Sequence, residues 1–188
     1  MTTSRHYHHG DLQRALLEAA AAEIAEVGSA AMSLRKVAAR VGVTHPAARH
    51  HFGDKTGLLT ALAAEGFRKL AAALEAARAA GGDLLDLGLA YLRFAYHHQP
   101  WFEVMFRPDI LHAGDADLLD AKAASAHQLN VSAEATRAGP EADVALGAWS
   151  FVHGFSTLWL AGNLPAGTLK EAETLFRRAA LAFTSLNA

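Results

Sequence analysis

The chain has 188 residues, of which 52% are hydrophobic and 19% are charged, so it is long enough to bury a core within one or two compact domains. It contains no cysteine, which excludes disulfides and thiolate metal sites. The first seven residues lack the apolar core of a secretion signal. We therefore expect a folded cytoplasmic protein.

Charge is distributed unevenly along the chain. The formal net charge is −2, but residues 1–55 carry +2 and residues 56–188 carry −4. Six of the eleven histidines also lie in the first segment, where they can add positive charge beside a phosphate backbone. The pattern predicts a basic head and an acidic body.

Apolar residues recur at steps of three and four along most of the chain, and alanine and leucine dominate, which predicts an all-helical fold. Asp11 is expected to cap a first helix that runs to about Val27 and ends at Gly28. The amphipathic pattern continues after this glycine, so further helices are expected to follow closely.

Two short helices are predicted next, joined by a tight turn. Ser33 is expected to cap the first of them, and Gly42 supplies the left-handed backbone that turns the chain into the second. Thr44 is expected to cap this second helix, which carries Pro46 in its first turn. Its outer side is polar and would suit a DNA major groove, with Thr44, His45, Arg49, His50 and His51.

The rest of the chain is predicted to be helical as well. Gly53-Asp54-Lys55 is expected to form a turn into a long helix over about residues 56–80. Five more helices are predicted at about 84–98, 101–106, 117–138, 142–162 and 169–186. Residues 144–169 carry no charge, but His153 and Asn163 among them favour a helix buried on several sides over a membrane span.

The segment from about residue 10 to residue 60 resembles the DNA-binding head of tetracycline-repressor-like (TetR/AcrR) regulators. The resemblance is carried by Met32-Ser33-Leu34-Arg35-Lys36-Val37-Ala38, by Gly42-Val43-Thr44 and by His51-Phe52-Gly53-Asp54-Lys55-Thr56-Gly57-Leu58-Leu59. It implies a three-helix helix-turn-helix head, placed at residues 1–55. It also implies a larger helical bundle for ligand binding and dimerisation, placed at residues 56–188.

The resemblance implies phosphate contacts from the start of the second helix, groove contacts from the third and backbone contacts near the fourth. The predicted DNA-binding residues are Ser33, Arg35, Thr44, His45, Pro46, Arg49, His50, His51 and Lys55. The family usually has tyrosine where this chain has Arg49, and often a larger apolar residue where it has Ala48. Arginine can instead clamp a phosphate or read guanine with two hydrogen bonds.

The histidine-rich start, Arg5-His6-Tyr7-His8-His9, has two open interpretations. It is either an arm that orders on DNA or a polar tail. No carboxylate or cysteine joins these histidines at ligand spacing, and the same holds for His97-His98. No metal site is predicted at either place, and no cofactor is expected.

Three faces of the helix predicted at 142–162 differ in character. A stripe of small residues is assigned to a partner subunit, a mixed face to a ligand chamber and a phenylalanine face to the core. These faces are, respectively, Gly147, Ser150, Gly154, Thr157 and Ala161; Trp149, His153, Ser156 and Leu160; and Phe151, Phe155 and Leu158. Trp149 with His153-Gly154 also resembles a body subtype named for its Trp, His and Gly (WHG).

The resemblance implies a dimer interface made by the last two long helices, and the final helix offers it Ala172, Phe176, Ala179, Ala180, Phe183 and Leu186. Candidate effector contacts include His127, which is expected to face inward from its helix. The full candidate set is Trp101, Phe102, Met105, Phe106, His127, Trp149 and His153. For His153 and the four residues after Pro100, an ordinary core role stays open.

These features predict a sequence-specific, ligand-responsive repressor that binds a pseudo-palindromic operator as a homodimer, with an unknown small-molecule effector and no membrane partner. An enzyme is the first alternative. It is disfavoured because the chain lacks a cysteine nucleophile, a phosphate loop, a His-Glu-His helix motif and a nucleophile elbow. The second alternative is an architectural protein that binds DNA without sequence preference.

Overall fold

The computed structural model describes residues 9–136 and 140–185, and within these ranges it contains helices and no strand. The all-helical prediction is confirmed. The run from Arg5 to His8 lies outside the described residues. The helices are α1 (His9–Ala31), α2 (Leu34–Val41), α3 (His45–Phe52), α4 (Lys55–Ala79), α5 (Leu84–His97), α6 (Gln99–Met105), α7 (Ala116–Thr136), α8 (Glu141–Leu160) and α9 (Leu169–Ser185), with a 3-10 turn at Pro108–Ile110.

The described residues form two compact units. The first contains the residues up to Gly66 together with Pro100–Asp120, and the second contains Phe67–Gln99 together with the residues from Ala121 onward. The first half of α4 therefore belongs with α1 to α3, and α6 belongs with them too. The functional division predicted at residue 55 stays a prediction.

Helix α1 begins earlier than the sequence suggests. It starts at His9, so Asp11 lies in its first turn and the prediction that Asp11 caps the helix is wrong. An acidic residue in the first turn is favourable without capping, because it faces the positive end of the helix dipole. Gly28 breaks the helix as predicted, with φ 77° and ψ 160°, and the chain then makes a further helical turn to Ala31.

The two short helices and their turn lie where the sequence predicts them. Gly42 ends α2 in the left-handed conformation, with φ 77°. Thr44 caps α3, because its Oγ1 accepts a hydrogen bond from the Ala47 N–H at 3.3 Å. Ser33 occupies the N-cap position of α2, but its side chain makes no capping hydrogen bond. Helix α2 packs against α1, and α3 packs against α2. Leu16, Leu34, Val37, Ala38 and Ala48 of these three helices are buried.

The core of the second unit is built around Phe176, which is 3% exposed on α9. Its ring lies 5.4 Å from the ring of Phe151 and 5.2 Å from that of Phe155. Gly88 on α5 permits this packing, since a Cβ there would stand 2.7 Å from Phe176 Cζ. Helices α5, α8 and α9 are therefore joined by one aromatic cluster.

This cluster corrects two assignments made from the sequence. Ala172 and Phe176, expected at the surface for a partner subunit, are buried inside the chain, because α9 needs an apolar side to pack on α5. Leu158, expected in the core, is 48% exposed. Ala179 and Ala180 are half-buried, and Phe183 and Leu186 lie outside the residues whose side chains are described.

No helix among the described residues is both long enough and apolar enough to cross a membrane. Helix α8 contains most of the uncharged stretch. One side of it is buried, at Ala145, Val152, Phe155, Ser156 and Trp159.

Replacing Phe176 with alanine should destabilise the protein by about 3–5 kcal/mol, because the cavity would open between three packed helices. Lys170→Ala, on the exposed side of the same helix, should change stability by less than about 0.5 kcal/mol. Chemical unfolding followed by circular dichroism measures both. Equal losses in the two variants would contradict a core built on Phe176.

Candidate DNA interface and effector site

Helix α3 has one buried side and one polar, exposed side. Ala48 is fully buried, which seats the helix against the rest of the first unit. A larger side chain would not fit this seat without movement, which accounts for alanine at this position. The opposite side is exposed at Thr44, His45, Pro46, Arg49 and His50.

Arg49 is held at its base rather than extended freely. Its Nε–H donates to the Gly53 carbonyl oxygen at 3.1 Å, across the end of α3. A guanidinium has five N–H donors, so this bond leaves the terminal groups of an exposed side chain for an external acceptor. Fixing one end of the guanidinium lowers the conformational entropy lost when the other end binds.

The residues predicted to contact the DNA backbone differ in their exposure to solvent. Arg35 is exposed on α2, and Ser33 is half-buried just before it. His51 is half-buried, with its ring 5.9 Å from that of His50 and 6.2 Å from that of Phe52. The structure thus brings the start of α2 and the outer side of α3 into the same unit. Their roles in DNA binding stay predictions.

Lys55, the first residue of α4, already has a partner within the chain. Its Nζ donates to the Ala30 carbonyl oxygen at 2.7 Å. An ammonium group has three donors, so this bond is compatible with a further contact to phosphate. The bond to Ala30 could not be predicted from sequence patterns, because 25 residues separate Lys55 from Ala30.

Sequence reasoning also missed an ion-pair network between α1 and α2. Glu23 has a side chain only 2% exposed, and it accepts from Arg40 Nε at 2.8 Å and lies 3.6 Å from Lys36 Nζ. Arg40 also binds both carboxylate oxygens of Glu26. The Arg40 hydrogen bond lowers the pKa of Glu26, and the two carboxylates raise the pKa of Arg40. Lys36 and Arg40, two of the basic residues of the head, therefore pair with carboxylates of the chain itself.

The aromatic residues after Pro100 belong to the first unit and pack against α4. A Cβ at Gly66 would lie 2.7 Å from Met105 Sδ and 3.2 Å from Trp101 Cβ, so this glycine allows α6 to approach closely. Phe102 and Phe106 form an edge-to-face pair with ring centroids 5.5 Å apart. Met105 is buried and the three aromatic residues are half-buried, which fits either a core or a chamber wall.

Trp149 and His153 lie in the second unit, where they meet a residue that the sequence did not single out. Tyr91 on α5 is buried, and its Oη lies 2.9 Å from His153 Nδ1. Trp149 is 37% exposed, with its ring 5.8 Å from that of His153. Burial raises the pKa of Tyr91, and a hydrogen bond with Trp149 acts in the opposite direction. A tyrosine among the apolar residues of α5 has the pattern of a core residue, so the sequence carried no signal that marked Tyr91.

His127 does not face inward. It is exposed on α7, and the expectation that it contacts an effector from inside the bundle is wrong. The buried positions of α7 are Leu118, Ala121, Ser125, Ser132 and Ala133, and His127 lies about 200° around the helix from Ser125. Because small residues lie on several sides of α7, the sequence does not indicate which side of this helix is buried.

The geometry described so far defines a helical regulator with a helix-turn-helix head, and comparisons with known proteins agree. A family model described as bacterial regulatory proteins, tetR family, matches residues 16–62. One described as the tetracyclin repressor-like C-terminal domain matches residues 84–183. The chain therefore belongs to the tetR family of bacterial regulatory proteins, whose members regulate transcription by binding DNA.

Solved structures share the fold of this chain over nearly its whole length. A protein of unknown function from Rhodococcus sp. RHA1 is 32% identical, with a TM-score of 0.76, covering 94% of this chain and 98% of that one. A tetR-family regulatory protein from Rhodococcus RHA1 shares the fold at 21% identity, with a TM-score of 0.67 and coverage of 89% and 92%.

A third structure is 27% identical, with a TM-score of 0.64 and coverage of 91% and 96%. It is described as the molecular basis for control of antibiotic production by a bacterial hormone. No match was found among curated protein sequences.

The contact between Tyr91 and His153 generates a pH-dependent prediction. Burial lowers the pKa of His153 below its ordinary value of 6.5, so the folded state binds this proton more weakly than the unfolded chain. The resulting stability is fully present above pH 6.5 and is lost as the pH falls through the folded pKa. His153→Gln, which keeps an acceptor for Tyr91, should lose less stability between about pH 7.5 and pH 5.5. Parallel unfolding curves at several pH values test this, and identical pH dependence in both proteins would contradict it.

Proposed function

We propose that this protein is a ligand-responsive repressor that binds a pseudo-palindromic operator as a homodimer. The observation that carries the proposal is the exposed polar side of α3, with Arg49 anchored on Gly53 and aimed outward. A helix of this kind inserts into a major groove, where arginine reads guanine with two hydrogen bonds. Ser33, Arg35 and Lys55 would place the head on the phosphate backbone.

Dimerisation through α8 is supported by its exposed side. Residues 144–169 carry no charge, yet one side of α8 is exposed to solvent in the single chain. A second copy of the chain would remove this apolar surface from water, and Gly147 would let the two helix backbones approach closely. After Asp143, the exposed positions assigned to this interface are Leu146, Gly147, Ser150, Thr157, Leu158 and Ala161.

Effector sensing is assigned to the body. Trp149 and His153 combine an aromatic surface with hydrogen-bonding groups, as binding sites for small molecules do, and they also fit the WHG body subtype. The similar structure described in terms of a bacterial hormone supports a small-molecule effector. An effector that prefers the DNA-incompetent conformation would lower operator affinity by roughly 5–150-fold.

A chromosomal target also accounts for the expected cytoplasmic location.

Selection of bound sequences from a random duplex library should recover a pseudo-palindrome. Arg49→Ala should weaken binding to the selected site by about 1–3 kcal/mol and relax the preference at one base position in each half-site, because the arginine reads a base edge. Arg178→Ala, an exposed arginine on α9, is the matched control and should leave the selected sequence unchanged.

Either of two results would count against this function. Recovery of no sequence by the wild type, together with steep salt dependence, would favour an architectural DNA-binding protein. Recovery of the same sequence with the same preference by Arg49→Ala would remove this residue from base recognition.

Leu158→Glu should convert the dimer into a monomer, because it places two charges in an interface that offers them no partner. Leu119→Glu makes the same substitution at a residue of α7 that is 49% exposed, close to the 48% of Leu158. Analytical ultracentrifugation should show a monomer for the first variant and a dimer for the second. A dimer in both cases would exclude this side of α8 as the interface.

A further inference from the structure

The connection between α1 and α2 begins with a break in the backbone. Gly28 leaves helical geometry, and the chain makes one more helical turn to Ala31 before α2 starts at Leu34. The Met32 N–H donates to the Gly28 carbonyl oxygen at 3.1 Å, which closes this turn. Ser29 within it is buried, at 4% exposure. The orientation of α2 relative to α1 depends on how firmly this single turn is held.

A carboxylate from a distant helix binds one end of the turn. The Ser29 N–H donates to Glu103 Oε1 at 2.7 Å, and Glu103 belongs to α6, 74 residues further along the chain. The same oxygen lies 3.9 Å from the position of a Cβ on Gly28, directly beside the break. Hydrogen bonds from an amide to an ionised carboxylate are shorter and stronger than those between neutral groups.

An ammonium group binds the same turn two peptide units further along the chain. Lys55 Nζ donates to the Ala30 carbonyl oxygen at 2.7 Å. The N–H of Ser29 is thus matched with an anion and the C=O of Ala30 with a cation. Both side chains belong to the same compact unit as the turn.

The segment that follows α6 is anchored to α4, beyond the 3-10 turn at Pro108–Ile110. The His112 N–H donates to Thr60 Oγ1 at 2.9 Å, and Thr60 is 3% exposed. The close packing of Met105 on Gly66 lies between this bond and Glu103. The carboxylate of Glu103 is therefore presented by a well-fixed segment.

We infer that Glu103 is a positioning residue for DNA binding. Together with Lys55, it clamps the turn at Ser29 and Ala30, and the clamp fixes the direction in which the chain enters α2 with Ser33 and Arg35. Glu103 acts through the backbone of the head and touches no DNA. This inference rests on the proposed function, since the affinity it affects is that for the operator.

The direction in which DNA affinity changes when Glu103 is replaced distinguishes a positioning role from a purely electrostatic one. Removing a negative charge from a DNA-binding protein should strengthen binding through long-range attraction to phosphate. Loss of the clamp should weaken binding instead. Glu103→Ala removes charge and acceptor, whereas Glu103→Gln removes the charge but keeps an oxygen that can accept from Ser29.

Binding to the duplex selected with the wild type should therefore weaken roughly tenfold in Glu103→Ala and roughly threefold in Glu103→Gln. Asp120→Asn removes the same charge from an exposed residue of α7 in the same unit, and it should bind as tightly as the wild type or more tightly. Equal or stronger binding by both Glu103 variants would overturn the inference.

Amide hydrogen exchange in the full-length protein without DNA provides an independent readout. Exchange at Ser29 should be roughly tenfold faster in Glu103→Ala than in Asp120→Asn, with thermal melting used to verify that both variants are folded. Unchanged exchange at Ser29 would overturn the clamp. If the wild type selects no duplex, the proposed function fails, while the exchange result still decides whether Glu103 holds the turn.

Discussion

Burying a carboxylate at 2% exposure costs free energy unless cations pair with it, and in this protein that requirement ties α1 to α2. Glu23 obtains its cations from Arg40 and Lys36, both on α2. The orientation of α2 sets the seat for Ala48 and hence the side of α3 that faces outward. The surface proposed to read DNA therefore depends on a buried carboxylate that lies on another helix.

Sequence patterns predicted the head well because its signals are local. A left-handed glycine, a threonine cap and a proline in the first turn act within a few residues, so Gly42, Thr44 and Pro46 placed α2 and α3 correctly. The bonds from Glu103 to Ser29 and from Lys55 to Ala30 join residues that are distant in the chain. No periodicity carries such information, and these bonds emerged only from the fold.

The body, residues 56–188, was predicted less well because its helices carry apolar or small residues on several sides. In α9 the phenylalanine face could serve a partner subunit or the chain's own core, and Phe176 turned out to pack on Gly88 inside the chain. In α8 the assignment of Leu158 to the core failed for the same reason. Composition alone cannot rank equally apolar faces when the neighbouring helix is unknown.

The absence of charge between residues 144 and 169 has a consequence for partner choice. A bacterial cell can contain related regulators with the same fold, and dimers often reject a wrong subunit through like charges placed opposite each other. A dimer formed through α8 beyond Asp143 would have no Asp, Glu, Lys or Arg on this part of the helix for that purpose. The choice of the correct partner would then depend on the shape of the two surfaces. The large side chains of Leu146 and Leu158 and the small Gly147 would pack closely only against a helix with the same arrangement of large and small residues.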